Sequence, residues 1–249
     1  VEVVLHLGAH KTGSSWAQAA LKTSGQALAG AEVIAPGTGH VRREVTAQAI
    51  AGKPVDLAAY GHCQRLVLSD ENMLGTPRQM LRTGTLYPKA VQRLSAVREA
   101  FEDHPVELHL ATRPLAPFFA GLVVEGLRNG FYRPLDEVEA VLCAQEGGWQ
   151  DLADRLRRAW PEAKLTLWPD GPLDTTFLNA LAGKSLKWSL PDGPVRRGPS
   201  HAVATAALTD AAQGHKVGDR LAKARGPNDA PFAPWSCATL EHLAQRDLA

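Results

Sequence analysis

The chain has 249 residues, 45% of them apolar and 21% charged, a balance that excludes a disordered tract and supplies enough apolar material for a substantial core. Its 27 basic and 26 acidic residues leave a formal net charge of +1, so no global field draws the protein to nucleic acid or an acidic membrane, and an anion must be held by a local site. Cys63, Cys143 and Cys237 lie far apart and form no Cys/His cluster, which argues against zinc and for reduced thiols in a reducing compartment, with the cytoplasm the expected location.

Apolar runs alternate with longer segments of helical period, the pattern of βα units and a mostly parallel sheet. A first strand is expected over residues 2–7, then a loop at 8–14 and a helix from 15 to 22. A second strand at 32–35 stops at Pro36, and a helix follows around 42–51. Residues 65–68 read as a buried strand that ends in Ser69-Asp70-Glu71-Asn72. Val91, Leu94, Val97 and Phe101 recur at helical spacing within 87–101. The fourth strand, 106–111, is closed by Thr112-Arg113-Pro114 and leads into an apolar helix at 115–127, which Asn129-Gly130 stops. Helices at 134–145 and 150–160 precede a fifth strand at 164–168 and breakers at 169–172. Helices at 173–182, 201–213 and 236–247 complete the pattern, with a Pro- and Gly-rich surface loop at 189–200. The expected fold is therefore α/β, a three-layer α/β/α single domain over 1–249 with a mostly parallel central sheet of about five strands. No apolar run reaches the ~20 residues of a membrane span, and no signal-peptide pattern opens the chain.

The most informative segment is His6-Leu7-Gly8-Ala9-His10-Lys11-Thr12-Gly13-Ser14-Ser15-Trp16. It runs from strand through glycine loop into helix. Such a bend turns backbone N–H groups into one concavity, and the helix N-terminus adds about half a positive charge. Lys11 adds a full charge, Thr12, Ser14 and Ser15 add hydroxyl donors, and His10 is a further contact from the same loop. The array suits a phosphate or sulfate group. It is not a Walker A loop, where lysine directly follows the second glycine; here Gly13 is followed by Ser14-Ser15 and the lysine sits inside the loop. Lys11-Thr12-Gly13-Ser14-Ser15, with His-x-Gly before it and Trp16 after it, resembles the 5′-phosphosulfate loop of the sulfotransferases that use 3′-phosphoadenosine-5′-phosphosulfate (PAPS). That resemblance implies a P-loop, nucleotide-kinase-like fold.

Two further places extend the resemblance. Many bacterial and carbohydrate sulfotransferases carry Ser-x-Glu at the end of an internal strand, and Ser69-Asp70-Glu71 is similar; it implies Glu71 as the base that takes the acceptor's proton. Lys11 would then stabilise charge on the leaving phosphate oxygen, without need of a metal. The bland reading is that these polar residues cap a turn with Glu71 solvated, and an apolar strand ending in Asp70 also resembles a Walker B strand that holds Mg²⁺. The strand-end arginine Arg113 resembles the family's 3′-phosphate ligand, and a guanidinium suits bidentate phosphate binding. The serine expected about eight residues later is Gly121, which leaves one hydroxyl contact missing and Arg128 or a backbone group to compensate. Arg196, Arg197 and Ser200 lie in a loop that resembles the basic loop covering the nucleotide, and the stretch from Pro231 to Ser236 resembles the family's C-terminal region.

The resemblance implies an enzyme that moves a sulfuryl group from PAPS to a hydroxyl or amine of a small-molecule or carbohydrate acceptor, releasing PAP, the 3′,5′-bisphosphate. Lys11 and Glu71 are its catalytic candidates; His10, Lys11, Thr12, Gly13, Ser14, Ser15, Arg113 and Arg197 are its nucleotide-binding candidates. The alternatives are a P-loop kinase using ATP and Mg²⁺ and a nucleotide-binding module without catalysis.

Overall fold

The computed structural model describes residues 1–61, 63–169, 173–192, 199–218, 221 and 232–248. At the centre of its sheet is β1 (Glu2–His6), a Val-rich run buried from Val3 to His6, as a parallel strand covered on both faces must be. β1 pairs in parallel with β3 (Arg65–Ser69) on one side and β4 (Val106–Ala111) on the other. β2 (Val33–Ile34) extends the sheet beyond β3 and β5 (Lys164–Trp168) beyond β4, again in parallel. The order is β2-β3-β1-β4-β5, and helices flank the sheet in the α/β/α arrangement that the βα pattern predicts. The direction of strand addition reverses at β1. In open parallel sheets a reversal of this kind opens a crevice beyond the strands' carboxyl ends, and it is there that His6 and Ser69 stand side by side in register.

The helices are α1 (Ser14–Thr23), α2 (Gly25–Gly30), α3 (Thr38–His40), α4 (Ala47–Ile50), α5 (Pro77–Thr83), α6 (Ala90–Ala100), α7 (Leu115–Arg128), α8 (Leu135–Cys143), α9 (Trp149–Ala159), α10 (Thr175–Ala182), α11 (His201–Ala212) and α12 (Cys237–Leu248). A π-helical turn, Val41–Thr46, joins α3 to α4. The chain forms two compact units: Val1–Gly75, Lys89–Thr112 and Ala153–Arg196 make the first, and Thr76–Pro88, Arg113–Leu152 and Arg197–Ala249 the second.

The first unit holds the whole sheet. Val4 and Val67 on one sheet face pack with Ala17, Ala20 and Leu21 of α1, Leu28 of α2, and Phe177, Leu178 and Leu181 of α10. Each fully buried Leu, Val or Phe in such a cluster is worth about 1.5–3 kcal/mol. α10 is capped by Asp174, whose carboxylate accepts from Thr176 N (2.8 Å) and Phe177 N (3.2 Å), and it ends at Gly183. Buried Arg65 at the start of β3 ties strand ends together, pairing with Glu2 and Glu107 and donating to the Leu181 carbonyl at 2.8 Å.

The second unit is helical. α5 begins with Pro77 after a capping box formed by Thr76 and Gln79. Arg246 of α12 is almost fully buried. It donates to the carbonyls of Leu142 (3.1 Å), Gly84 (3.1 Å) and Gly147 (2.9 and 3.1 Å), and lies 5.7 Å from the centre of the Phe119 ring.

The expected strands at 106–111 and 164–168 match β4 and β5 residue for residue. The strand expected at 32–35 is shorter, and α2 and α5 were not anticipated. The helix expected from 87 starts only at Ala90, because Tyr87 takes φ 43° and precedes Pro88. Among the described residues no helix is long and apolar enough to cross a membrane.

Replacing Arg246 by Met keeps the packing but strips donors from three carbonyl oxygens. Urea unfolding at pH 7 is expected to show a loss of about 3 kcal/mol or more; a loss below about 0.5 kcal/mol, the scale of an ordinary surface change, would contradict the bridging role.

Candidate active site

The loop after β1 is built from left-handed residues: Gly8 takes φ 99°, Lys11 φ 65° and Gly13 φ 101°. Lys11 is the costly one, since a side chain in this region is disfavoured by roughly 1–2 kcal/mol, and such residues gather at ligand clamps. The loop is pinned to β4, with Ala9 N donating to Ala111 O (3.0 Å) and Ala111 N to Gly8 O (2.7 Å). Thr12 and Ser14 both donate their hydroxyls to Ala9 O, at 2.7 and 3.1 Å. These two hydroxyls, expected as donors to an anion, brace the loop from within. Ser15 is half-buried in the first turn of α1. α1 follows Gly13 with no side chain capping it; Trp16 N turns back to Gly13 O at 2.8 Å, and the N–H groups before it are of the kind that caps, water or ligands satisfy.

Gly8 also meets the end of β3. A Cβ on Gly8 would lie 3.0 Å from the Cβ of Glu71 and 3.2 Å from its Cα. The lysine-bearing loop and the strand-end glutamate are therefore in direct contact, as the sequence requires if both serve one site.

Glu71 is half-buried and held by neighbouring side chains. Its Oε2 accepts from Gln18 Nε2 of α1 at 2.9 Å, and its Oε1 from Arg42 Nη2 at 3.2 Å. Burial pushes the Glu71 carboxyl upward, but the Gln18 hydrogen bond, its own backbone N–H, His10 and Arg42 outweigh it and hold the group below the usual glutamate range. Asp70, fully buried, takes two bonds from Arg42 on Oδ1, at 3.0 and 2.7 Å, and one from Asn72 N. Its Oδ2 meets no hydrogen-bond donor among the described residues. For Arg42, burial acts to lower the pKa, and the hydrogen bond and charge of Asp70, with Glu71 beside it, reverse the sign and raise it.

His10 is buried, and its Nε2 lies 3.0 Å from the Asn72 amide. With the amide nitrogen donating to His10, the amide oxygen faces Arg42 Nε and Nη2 at 3.1 Å. Arg93 fixes this turn by donating to Asn72 O (2.7 Å) and Met73 O (2.9 Å). Behind the turn, Gln18 Nε2 also donates to Ser69 Oγ (3.2 Å), which lies 2.8 Å from His6 Nδ1. Burial lowers the His6 pKa to about 4; the Glu71 charge opposes the shift and His109 adds to it.

Arg113 belongs to the second unit. It is half-buried just past β4, and its carbonyl oxygen accepts from Trp149 Nε1 at 2.7 Å. Gly121 sits within α7. Arg128, considered as a substitute contact, pairs with Glu125 at 3.5 Å. Ser200 caps α11, accepting from Val203 N at 3.4 Å. Arg196 and Arg197 lie outside the described residues. Gln18, Arg42, Arg93 and His6 are the participants that motif reading missed. Among the described residues, no group of three His, Cys, Asp or Glu side chains could hold a metal ion. Comparison of the chain with family models, curated proteins and solved structures gives no match.

The buried His6 sets a pH dependence. The unfolded chain takes up a proton on it below pH 6.5, whereas the folded chain resists until about pH 4. Stability is therefore present above 6.5 and falls as the pH drops through that window, by about 2–3 kcal/mol at pH 4.5. Urea titrations from pH 7.5 to 4.5 should show a shallower slope for His6→Gln; parallel slopes would contradict this.

Proposed function

We propose that this chain transfers a sulfuryl group from PAPS to a hydroxyl of an acceptor, as the resemblance of Lys11-Thr12-Gly13-Ser14-Ser15 implies. The observation that carries the reading is the contact of Gly8 with Glu71, because it sets an anion-type loop against a carboxylate at the switch point of the sheet. The uncapped start of α1 and the left-handed turns at Lys11 and Gly13 fit a 5′-phosphosulfate better than a merely solvated loop.

In this reading the acceptor's oxygen forms a bond to sulfur while the sulfur–oxygen bond to the 5′-phosphate breaks. The acceptor's proton goes to Glu71, and the electron pair of the broken bond stays on PAP, opposite the Lys11 ammonium. Glu71 enters as a carboxylate, with Gln18 on one oxygen, Arg42 on the other and its own backbone N–H as a further donor; of the about four acceptor positions of a carboxylate, one is left for the acceptor hydroxyl. Gln18 and Arg42 hold it in place. Its lowered pKa makes it a ready but weak base, whose contribution falls within the usual ~10²–10⁴-fold of general base catalysis. Arg113 is the proposed partner of the 3′-phosphate, with Arg197 a further contact, and the cytoplasm remains the proposed setting, in keeping with three free thiols. The kinase alternative needs Asp70 for Mg²⁺, and the two bonds from Arg42 to Asp70 Oδ1 oppose it.

PAP without metal is expected to raise the unfolding temperature, with a gain near ~2.7 kcal/mol at a hundredfold excess over Kd, and Lys11→Ala should remove the gain. Stabilisation by ATP with Mg²⁺ and not by PAP would favour the kinase. In an extract supplied with labelled PAPS, Glu71→Gln should lower transfer by about 10²-fold or more while PAP binding persists; undiminished transfer would remove Glu71 from the base role, and binding without any transfer by the native chain would leave a module without catalysis.

A further inference from the structure

A cavity of about 290 Å³ opens between α1, α2, β2 and the carboxyl end of β3 in the first unit. Leu21, Leu28, Val33 and Pro36 supply apolar wall, and Gln18 and Ser69 supply polar edge. Gln18 joins this cavity to the candidate active site: its Nε2 donates both to Ser69 Oγ at 3.2 Å and to Glu71 Oε2 at 2.9 Å. An apolar space thus ends at the amide that holds the base.

We infer that this cavity is the acceptor site and that it takes a small alcohol with a compact apolar body, its hydroxyl directed at Gln18 and Glu71. The inference rests on the reading of Glu71 as the proton acceptor. Its volume lies at the lower edge of small-molecule pockets, roughly 300–1,000 Å³, which suits a single ring or a short branched chain. Beyond Gln18 and Ser69, the polar side chains on the lining are Lys22, exposed to solvent, and Thr38, half-buried. A sugar, with a hydroxyl on nearly every carbon, would leave several of them facing Leu21, Leu28 and Val33 without partners, which is unfavourable. An alcohol with one hydroxyl meets one polar edge and buries the rest. Of the hydroxyl and amine acceptors considered, the cavity selects the hydroxyl of an apolar body.

The test uses the full chain, without nucleotide, and follows 4-fluorobenzyl alcohol and 4-fluorotoluene by fluorine NMR. The alcohol should bind roughly tenfold tighter than the toluene, the discrimination expected when a hydrogen-bonding partner is lost. Ala29 is an exposed residue of α2 on the cavity lining, so Ala29→Phe fills the space from the surface; it should weaken the alcohol at least tenfold with the unfolding midpoint unchanged. Gln18→Leu should abolish the preference for the alcohol over the toluene. Absence of alcohol binding, or binding that Ala29→Phe leaves intact, overturns the inference. A parallel titration with PAP separates the two readings. PAP binding without alcohol binding sinks the cavity assignment alone, whereas alcohol binding that obeys both variants, with PAP silent, upholds the cavity as an alcohol site and sinks the nucleotide reading.

Discussion

The backbone of Gly8 runs so close to Glu71 that a side chain there would press on the glutamate. An added Cβ would come within 3.0 Å of the Glu71 Cβ, and the residue's φ of 99° is a conformation that glycine alone adopts at ease. Two constraints on one residue thus fix the approach of two strand ends. β1 and β3 are parallel neighbours, with His6 opposite Ser69, so the residues that follow each strand leave the sheet at the same level. The loop to α1 must pass over the turn that carries Glu71. Its attachment to β4 through Ala9 and Ala111 settles the third side. Lys11 is then held by the sheet's topology rather than by its own side chain's preferences.

Charge placement in this corner follows from what burial permits. Two carboxylates, Asp70 and Glu71, sit next to each other at the end of an apolar strand, where neither would be stable alone. Arg42 answers both: it bonds Asp70 Oδ1 twice and Glu71 Oε1 once. Like charges this close would ordinarily raise one of the carboxyls, yet Glu71 is shifted downward, so the donors surrounding it prevail over burial. The neighbouring His6 resolves its burial the opposite way, by staying neutral. The outcome is a fixed carboxylate, with a cation on one side, an amide on another, and a neutral imidazole behind Ser69. The donors on two sides give this carboxylate a defined position.

The fold's framework was legible because strands and helices buried on one or two faces leave periodic traces. β4 and β5 could be read to the residue, and the loop from Gly8 to Ser14 was marked by its glycines. Glu71 was legible because it interrupts an apolar run. Gln18 and Arg42 were not, because nothing local distinguishes a helix glutamine or arginine from its solvated neighbours; their partners lie 51 and 53 residues on for Gln18 and 28 and 29 for Arg42. The bonds by which Thr12 and Ser14 brace the loop were hidden for a related reason. Their composition announces hydroxyl donors, but only the path of the loop puts the Ala9 carbonyl within their reach. α2 was hidden by Gly25, which reads as a helix stop although Ser24 O accepts from Leu28 N and carries the helix onward.

The most direct measurement is a crystal structure of the chain with PAP. The 5′-phosphate is expected on the loop between Gly8 and Ser14, with Lys11 Nζ at hydrogen-bonding distance, about 2.7–3.2 Å, and with the Glu71 carboxylate facing the place where sulfur would sit. PAP bound away from the loop, or Lys11 turned from the phosphate toward another partner, would contradict the assignment of this corner as a sulfuryl-transfer site.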